Sequence, residues 1–235
     1  MKKLLSIGAI KKTIFLILIL LLIISGGGYL KNNFFTPSKT SEEINKEVKQ
    51  LVENNQLKNG DIIFQTSISG QSRAIQIATK SQYSHCGIIF KDKGQYYVYE
   101  AVQPVKVTPL DIWIARGKNG HYVVKRIKNA EKILTEGVIQ KLKKEGQKYL
   151  GKNYDIYFNW SDDQIYCSEL VWKIYKNATG IEIGKLEKLG DFDLSSKVVK
   201  DIIKKRYRKN IPLNETVISP ESIYSSDLLT TVKRS

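Results

Sequence analysis

Asp162-Asp163-Gln164-Ile165-Tyr166-Cys167-Ser168-Glu169-Leu170-Val171-Trp172-Lys173-Ile174-Tyr175 sets a cysteine immediately before a run with helical spacing. Leu170, Val171, Ile174 and Tyr175 fall on one face at 3.6 residues per turn, which predicts a helix from near Cys167 to about Asn177. A cysteine at a helix start meets unpaired backbone N–H groups and the positive end of the macrodipole, and both favour the thiolate. The bland alternative is a small buried hydrophobe in an apolar stretch. Glu169, inside the first turn, reads as a cap or a buried tether.

Two upstream segments decide between those readings. Tyr83-Ser84-His85-Cys86-Gly87-Ile88-Ile89-Phe90 reads as a strand with a histidine at its head, and Tyr96-Tyr97-Val98-Tyr99-Glu100 as the next strand. Lys91-Asp92-Lys93-Gly94 is the turn between them. Mirroring about that turn puts His85 opposite roughly residue 100, with Gly87 leaving room beside the imidazole. Cys167, His85 and Glu100 then supply a nucleophile, a base and an orienting group. The oxyanion would be met by the Cys167 N–H and a second donor from Tyr166, Gln164 or the first strand.

Other candidates read as structural. Cys86 alternates with Ile88 and Phe90 and is expected in the core; a Cys86–Cys167 disulfide would remove the reactive thiol. His121 follows Gly120 in an expected surface loop. Asp61, after Asn59-Gly60, caps a turn. Two cysteines cannot build a disulfide framework, and no ligand pair has zinc spacing, so no metal or cofactor is expected.

The remaining pattern is a small sheet flanked by helices, an α+β class. A helix from Ser41 to Asn55 opens with a Thr40–Glu43 capping box. Strands are expected at Asp61–Gln65, His85–Phe90, Gln95–Ala101 and Tyr122–Arg126. A short helix is expected at Arg73–Thr79, an extended piece over Val105–Leu110, and a surface helix over Ile133–Leu150. Asn153–Asp163 is irregular and aromatic, and Tyr154, Tyr157, Phe158 and Trp160 there would either pack or line an apolar mouth. Helices at Ser196–Tyr207 and from Ser219-Pro220 complete the pattern. The lysine-rich stretch 185–209 reads as a solvated face or a contact surface.

Lys2, Lys3, Lys11 and Lys12 precede an apolar run, Thr13 to Ile24, followed by glycines. Residues 1–30 are therefore expected to be a membrane anchor or a cleaved signal peptide. Residues 31–56 would be a linker and capping helix, and 57–235 the catalytic domain, facing outside the cytoplasm or secreted. Of 38 basic side chains, 34 lie beyond residue 30 against 23 acidic ones, a formal +11. Such a balance suits an anionic cell envelope. Nucleic acid is excluded, since no basic–aromatic reading module is present. Hydrophobic residues make up 42% of the chain, which excludes a disordered one.

The chain resembles the YiiX-type, circularly permuted members of the papain-like NlpC/P60 superfamily, relatives of the lecithin:retinol acyltransferase-like proteins. Tyr83-Ser84-His85 precedes Tyr166-Cys167-Ser168-Glu169-Leu170-Val171, the permuted order. Asn59-Gly60-Asp61-Ile62-Ile63-Phe64 and Val98-Tyr99-Glu100-Ala101 add to the likeness, over roughly residues 57–225. The resemblance implies a permuted papain-like fold and a cysteine hydrolase with Cys167 as nucleophile, His85 as base and Glu100 as third polar residue. Substrates would be a wall peptide, peptidoglycan or small peptide conjugate cut at an amide. The alternatives are a lipid ester or acyl-transfer reaction, and a non-catalytic binding module.

Overall fold

The computed structural model describes residues 38–235. Helix α1 (Ser41–Glu53) starts as the capping box requires. Thr40 Oγ1 accepts from the Glu43 N–H at 3.2 Å, and Glu43 Oε2 accepts from the Thr40 N–H at 2.7 Å. The chain continues through β1 (Ile62–Ser67), α2 (Ser72–Ala78), β2 (His85–Asp92), β3 (Gln95–Glu100) and β4 (Lys106–Pro109). Next come α3 (Leu110–Ala115), β5 (Gly117–Ile127), α4 (Ala130–Ile133), α5 (Glu136–Gln147), β6 (Asn153–Tyr154) and β7 (Gln164–Ile165). It closes with α6 (Cys167–Thr179), β8 (Glu187–Lys188), α7 (Lys197–Tyr207), β9 (Thr216–Val217), α8 (Pro220–Tyr224) and β10 (Leu229–Arg234).

Six strands form one antiparallel sheet in the order β10-β5-β1-β2-β3-β4. Strand alternation gives it two buried faces. Ile62, Phe64, Cys86, Ile88 and Phe90 pack with α6 through Leu170, Val171, Ile174 and Tyr175, all fully buried. Each such side chain contributes roughly 1.5–3 kcal/mol. Ile63, Ile89, Val98 and Val124 pack on the other face with Trp113 and Ile114 of α3 and Ile44 and Leu51 of α1. The mixed α+β architecture, an antiparallel sheet against helices, is the expected class.

Three elements depart from expectation. Leu110-Asp-Ile-Trp-Ile-Ala is helix, because Pro109 in an extended conformation starts it and Trp113 and Ile114 gain burial. The expected helix from Ile133 to Leu150 is two, α4 and α5, interrupted where Leu134 leaves helical geometry and packs over Gly60. Strand β10 carries little apolar pattern; its backbone pairing with β5 makes it a strand. His121 lies within β5 and is half-buried, which corrects the expected surface loop.

The expected membrane attachment is corrected. Among the described residues no helix is long and apolar enough to cross a membrane. The longest, α1 and α6, have 13 residues, about 20 Å of helix against a hydrocarbon core of about 30 Å. Residues 1–30, on which the anchor or signal was read, lie outside the described residues. Membrane attachment, the outward-facing location and the envelope partner inferred from it have no support in the fold.

Candidate active site

Cys167 is the first residue of α6, after an extended Tyr166 at the N-cap. Asp155 shapes the loop before it, its two carboxylate oxygens accepting the Tyr157 and Asn159 N–H groups at 2.7 Å each. Ser168 Oγ donates to the Ile218 carbonyl at 2.7 Å and locks the first turn in place. Cys167 is a free thiol, 3% exposed.

His85 is the first residue of β2 and packs nearly parallel on Trp113, with ring centroids 5.8 Å apart. Its Nε2 lies 2.7 Å from Glu100 Oε2. Glu100 is fully buried, and its other oxygen accepts from Thr108 Oγ1 at 2.6 Å and from Arg116 Nη2. Register differs by two residues from the mirrored estimate. Ile88 faces Tyr99, so by continuation Glu100 faces Gly87, and His85 is its same-face diagonal neighbour. The expected space beside Gly87 is filled: a Cβ there would sit 2.5 Å from Val98 Cγ1 and 2.6 Å from the Tyr99 carbonyl oxygen. The missing side chain lets β3 come close enough for the diagonal contact.

The three groups form one electrostatic unit. Hydrogen bonding from the Cys86 thiol holds the Cys167 thiol well below its ordinary value; burial opposes this, and hydrogen bonding and charge from His85 add to it. Burial disfavours the His85 imidazolium, but Cys167 and Glu100 outweigh it and push His85 up to about 9. Burial likewise opposes the Glu100 carboxylate, and His85, Thr108 and Arg116 hold it below the usual range. With Nε2 given to Glu100, Nδ1 is the nitrogen left for Cys167. Cys86 packs in the core cluster with Cys167, and its thiol and backbone N–H also help to hold the Cys167 value down. Alternation alone had marked it as core only. Burial and the neighbouring Cys167 keep Cys86 itself a thiol.

Two openings flank the unit. A cavity of about 100 Å³ reaches Cys167 between α2 and α7, with an apolar lining that includes Ala74, Phe158, Val199 and Ile203. An open cleft of about 970 Å³ reaches His85, with Gln65, Ser84 and Arg116 on its walls. Gln71, Tyr154 and Arg206 line both. They are bonded to one another: Gln71 Nε2 donates to Tyr154 Oη at 2.9 Å, and Arg206 Nη2 donates to Gln71 Oε1. The Tyr154 phenol is pushed well up, first by burial and then by the charge of Cys167. Of the aromatic segment, Tyr154, Phe158 and Tyr157 line these openings, whereas Trp160 packs edge-on against Trp172. Thr108, Arg116, Trp113, Gln71 and Arg206 carry no local signal in the sequence; only the pairing of distant elements brings them here. Glu169 is buried beside Lys173 at 2.8 Å, and Asp61 is clasped by Arg126 through two 2.7 Å bonds, so both are structural.

The family description that matches residues 56–233 is "permuted papain-like amidase enzyme, YaeF/YiiX, C92 family". YiiX of Escherichia coli (strain K12) is 51% identical over 175 residues, covering 74% of this chain and 85% of that protein. The crystal structure described as metalloprotein yiiX from Escherichia coli O157:H7 superimposes with a TM-score of 0.74 at 51% identity, over 77% of this chain and 98% of that one. In the present chain no group of three or more His, Cys, Asp or Glu side chains is placed to hold a metal ion among the described residues, and His85 Nε2 is already engaged by Glu100. With the family description matched over residues 56–233 and YiiX 51% identical over 175 residues, the chain belongs to the YaeF/YiiX family of permuted papain-like amidase enzymes.

Proposed function

We propose that the chain is a thiol hydrolase that cleaves an amide bond in a peptide or small peptide conjugate, with residues 57–235 as its catalytic domain. The observation that carries this is the relay from Glu100 to His85 at 2.7 Å and on to a helix-start cysteine held well below its ordinary pKa. Cys167 enters the reaction as a thiolate beside the His85 imidazolium. Its sulfur attacks the carbonyl carbon, and the carbonyl electron pair moves to oxygen. The Cys167 N–H at the start of α6 meets that oxyanion. Tyr154 accepts from Gln71 and keeps its own hydroxyl proton free as a second donor. Collapse breaks the C–N bond, and His85 gives its proton to the leaving amine. Neutral His85 then takes a proton from water, whose oxygen attacks the thioester and releases the acid and the thiolate. Glu100 holds the ring and stabilises its charged form throughout.

The apolar lining of the cavity at Cys167 favours a second reading, an aliphatic acyl group carried as a lipid ester or passed to an acceptor. Intact-mass measurement with a panel of peptide amides and fatty-acyl esters separates the two. The amide reading expects a hydroxylamine-labile acyl adduct from the amides on wild-type chain and none on Cys167→Ala. Adducts from the esters alone favour the lipid reading. Turnover that survives Cys167→Ala ends both, and absence of adduct and turnover with either class on wild-type chain leaves a binding module.

A further inference from the structure

Three arginines are half-buried among the described residues: Arg116, Arg126 and Arg206. Arg116 is ion-paired with Glu100, and Arg126 with Asp61. Arg206 faces no carboxylate within ion-pair range among the described residues; its guanidinium donates to the Gln71 amide and lies over the Phe158 ring, 5.1 Å from the centroid. Asp155, whose charge reaches Arg206, spends both oxygens on its own turn. Removing a cation from water without an anion is costly; Lys125, also buried without an ion pair, donates to the Tyr224 carbonyl and lines neither opening. Arg206 keeps this cost at one place, the three-residue wall between the Cys167 cavity and the His85 cleft.

The wall is also preorganised. Gln71 is held from both ends, by the Tyr154 hydroxyl and the Arg206 guanidinium. Tyr154 is held in turn by its N–H, which donates to Gln103 Oε1 at 2.7 Å. A guanidinium has five N–H donors in a planar fork that matches a carboxylate. One is given to Gln71, and the Phe158 ring limits rotation of the plane. A single cation with no second basic partner in the wall suits a monoanion better than a phosphate, which gathers several donors.

We propose that Arg206 is a specificity residue that binds a carboxylate of the substrate, placed beside the bond that Cys167 attacks. This rests on the thiol-hydrolase reading. The missing counter-ion of Arg206 is then supplied by the substrate, and a neutral amide of the same shape is the poorer substrate.

Alkylation of Cys167 tests this without a known substrate. Iodoacetate and iodoacetamide both form an S–CH2 bond and release iodide, and they differ in a carboxylate against an amide. The ratio of their rates on Cys167 is measured by peptide mass spectrometry at pH 7 for wild-type chain, Arg206→Gln and Arg206→Lys. The His85 charge is common to all three and cancels in the comparison. The expected result is a fall of about tenfold in the iodoacetate-to-iodoacetamide ratio for Arg206→Gln, with most of it restored in Arg206→Lys. A ratio unchanged within twofold overturns the proposal while leaving the reactive thiol intact. Failure of both reagents to label wild-type Cys167 at pH 7 overturns the hydrolase reading and this one with it. A measurement on wild-type chain alone guards against a misfolded variant: butyrate should protect Cys167 from iodoacetamide at concentrations where butyramide does not. Equal protection by the two also rejects carboxylate recognition.

Discussion

Glu100 reaches His85 diagonally, 2.7 Å from ring nitrogen to carboxylate oxygen, across the step where β3 lies against Gly87. On the other side of β2, Gln65 of β1 is the direct neighbour of His85 and lines the cleft. The Glu100 carboxylate is completely buried; burial opposes its ionisation, and His85, then Thr108 and Arg116, hold it below the usual range.

Glu100→Gln should therefore cost activity more than structure. The amide keeps the shape but can neither hold the same tautomer nor stabilise the imidazolium. The expected loss is about 10²–10⁴ in kcat, read from single-turnover acylation. A circular dichroism spectrum unchanged from wild type shows that the loss is chemical.

The pH profile follows from two opposed shifts. The reactive ion pair exists above the depressed Cys167 value and below the His85 value of about 9. The rate constant for Cys167 alkylation should already be high well below pH 8, and kcat/KM should fall as pH passes about 9. The apparent values belong to the pair. For stability, His85 is raised in the fold, so its contribution is fully present below about 6.5 and lost as pH rises through about 9. His85→Ala should move the onset of Cys167 labelling to higher pH; an unmoved onset would break the pairing.

Glu169 adds a second loss of stability with rising pH, at lower pH than His85. Burial, against the opposing pull of Lys173, pushes it up to about 8. The unfolded chain releases this proton near 4.3 and the folded chain holds it, so Glu169 lowers stability as pH rises from about 4.3 to about 8. Glu169→Gln should flatten that slope. Urea midpoints of the variant and wild type, compared at pH 5 and pH 8, give the test.

Asp61 and Arg126 stabilise the start of β1. Asp61 is fully buried, accepts the Lys58 N–H at 2.9 Å and takes both Arg126 bonds. Asp61→Ala leaves a guanidinium and a backbone N–H without their acceptor, and about 3–5 kcal/mol of stability should be lost. Urea denaturation measures it; a loss under 1 kcal/mol would mean that water replaces the carboxylate without cost.

Much of this was written in local pattern. The thiol before an amphipathic helix, the histidine at a strand head and the Lys93-Gly94 turn are each determined by neighbouring residues, because helix faces repeat every 3.6 residues and strand faces every two. The resulting core is the observed one: Leu170, Val171, Ile174 and Tyr175 are all fully buried. Register was only approximate, since the turn gave the parity of His85 and Glu100 but not their two-residue offset. Helix α3 hid behind residues that favour strands, and with it the Trp113 stack and the Arg116 pair. Cys86 looked like core by alternation and is core, but its proximity to the Cys167 sulfur depends on how α6 docks on β2. Gln71, Tyr154 and Arg206 come from α2's approach, the aromatic loop and α7, separated by up to 135 residues. Their meeting is decided by the packing of α2 against α7 around Ala74, Val199 and Ile203, a long-range contact that no short window of sequence contains.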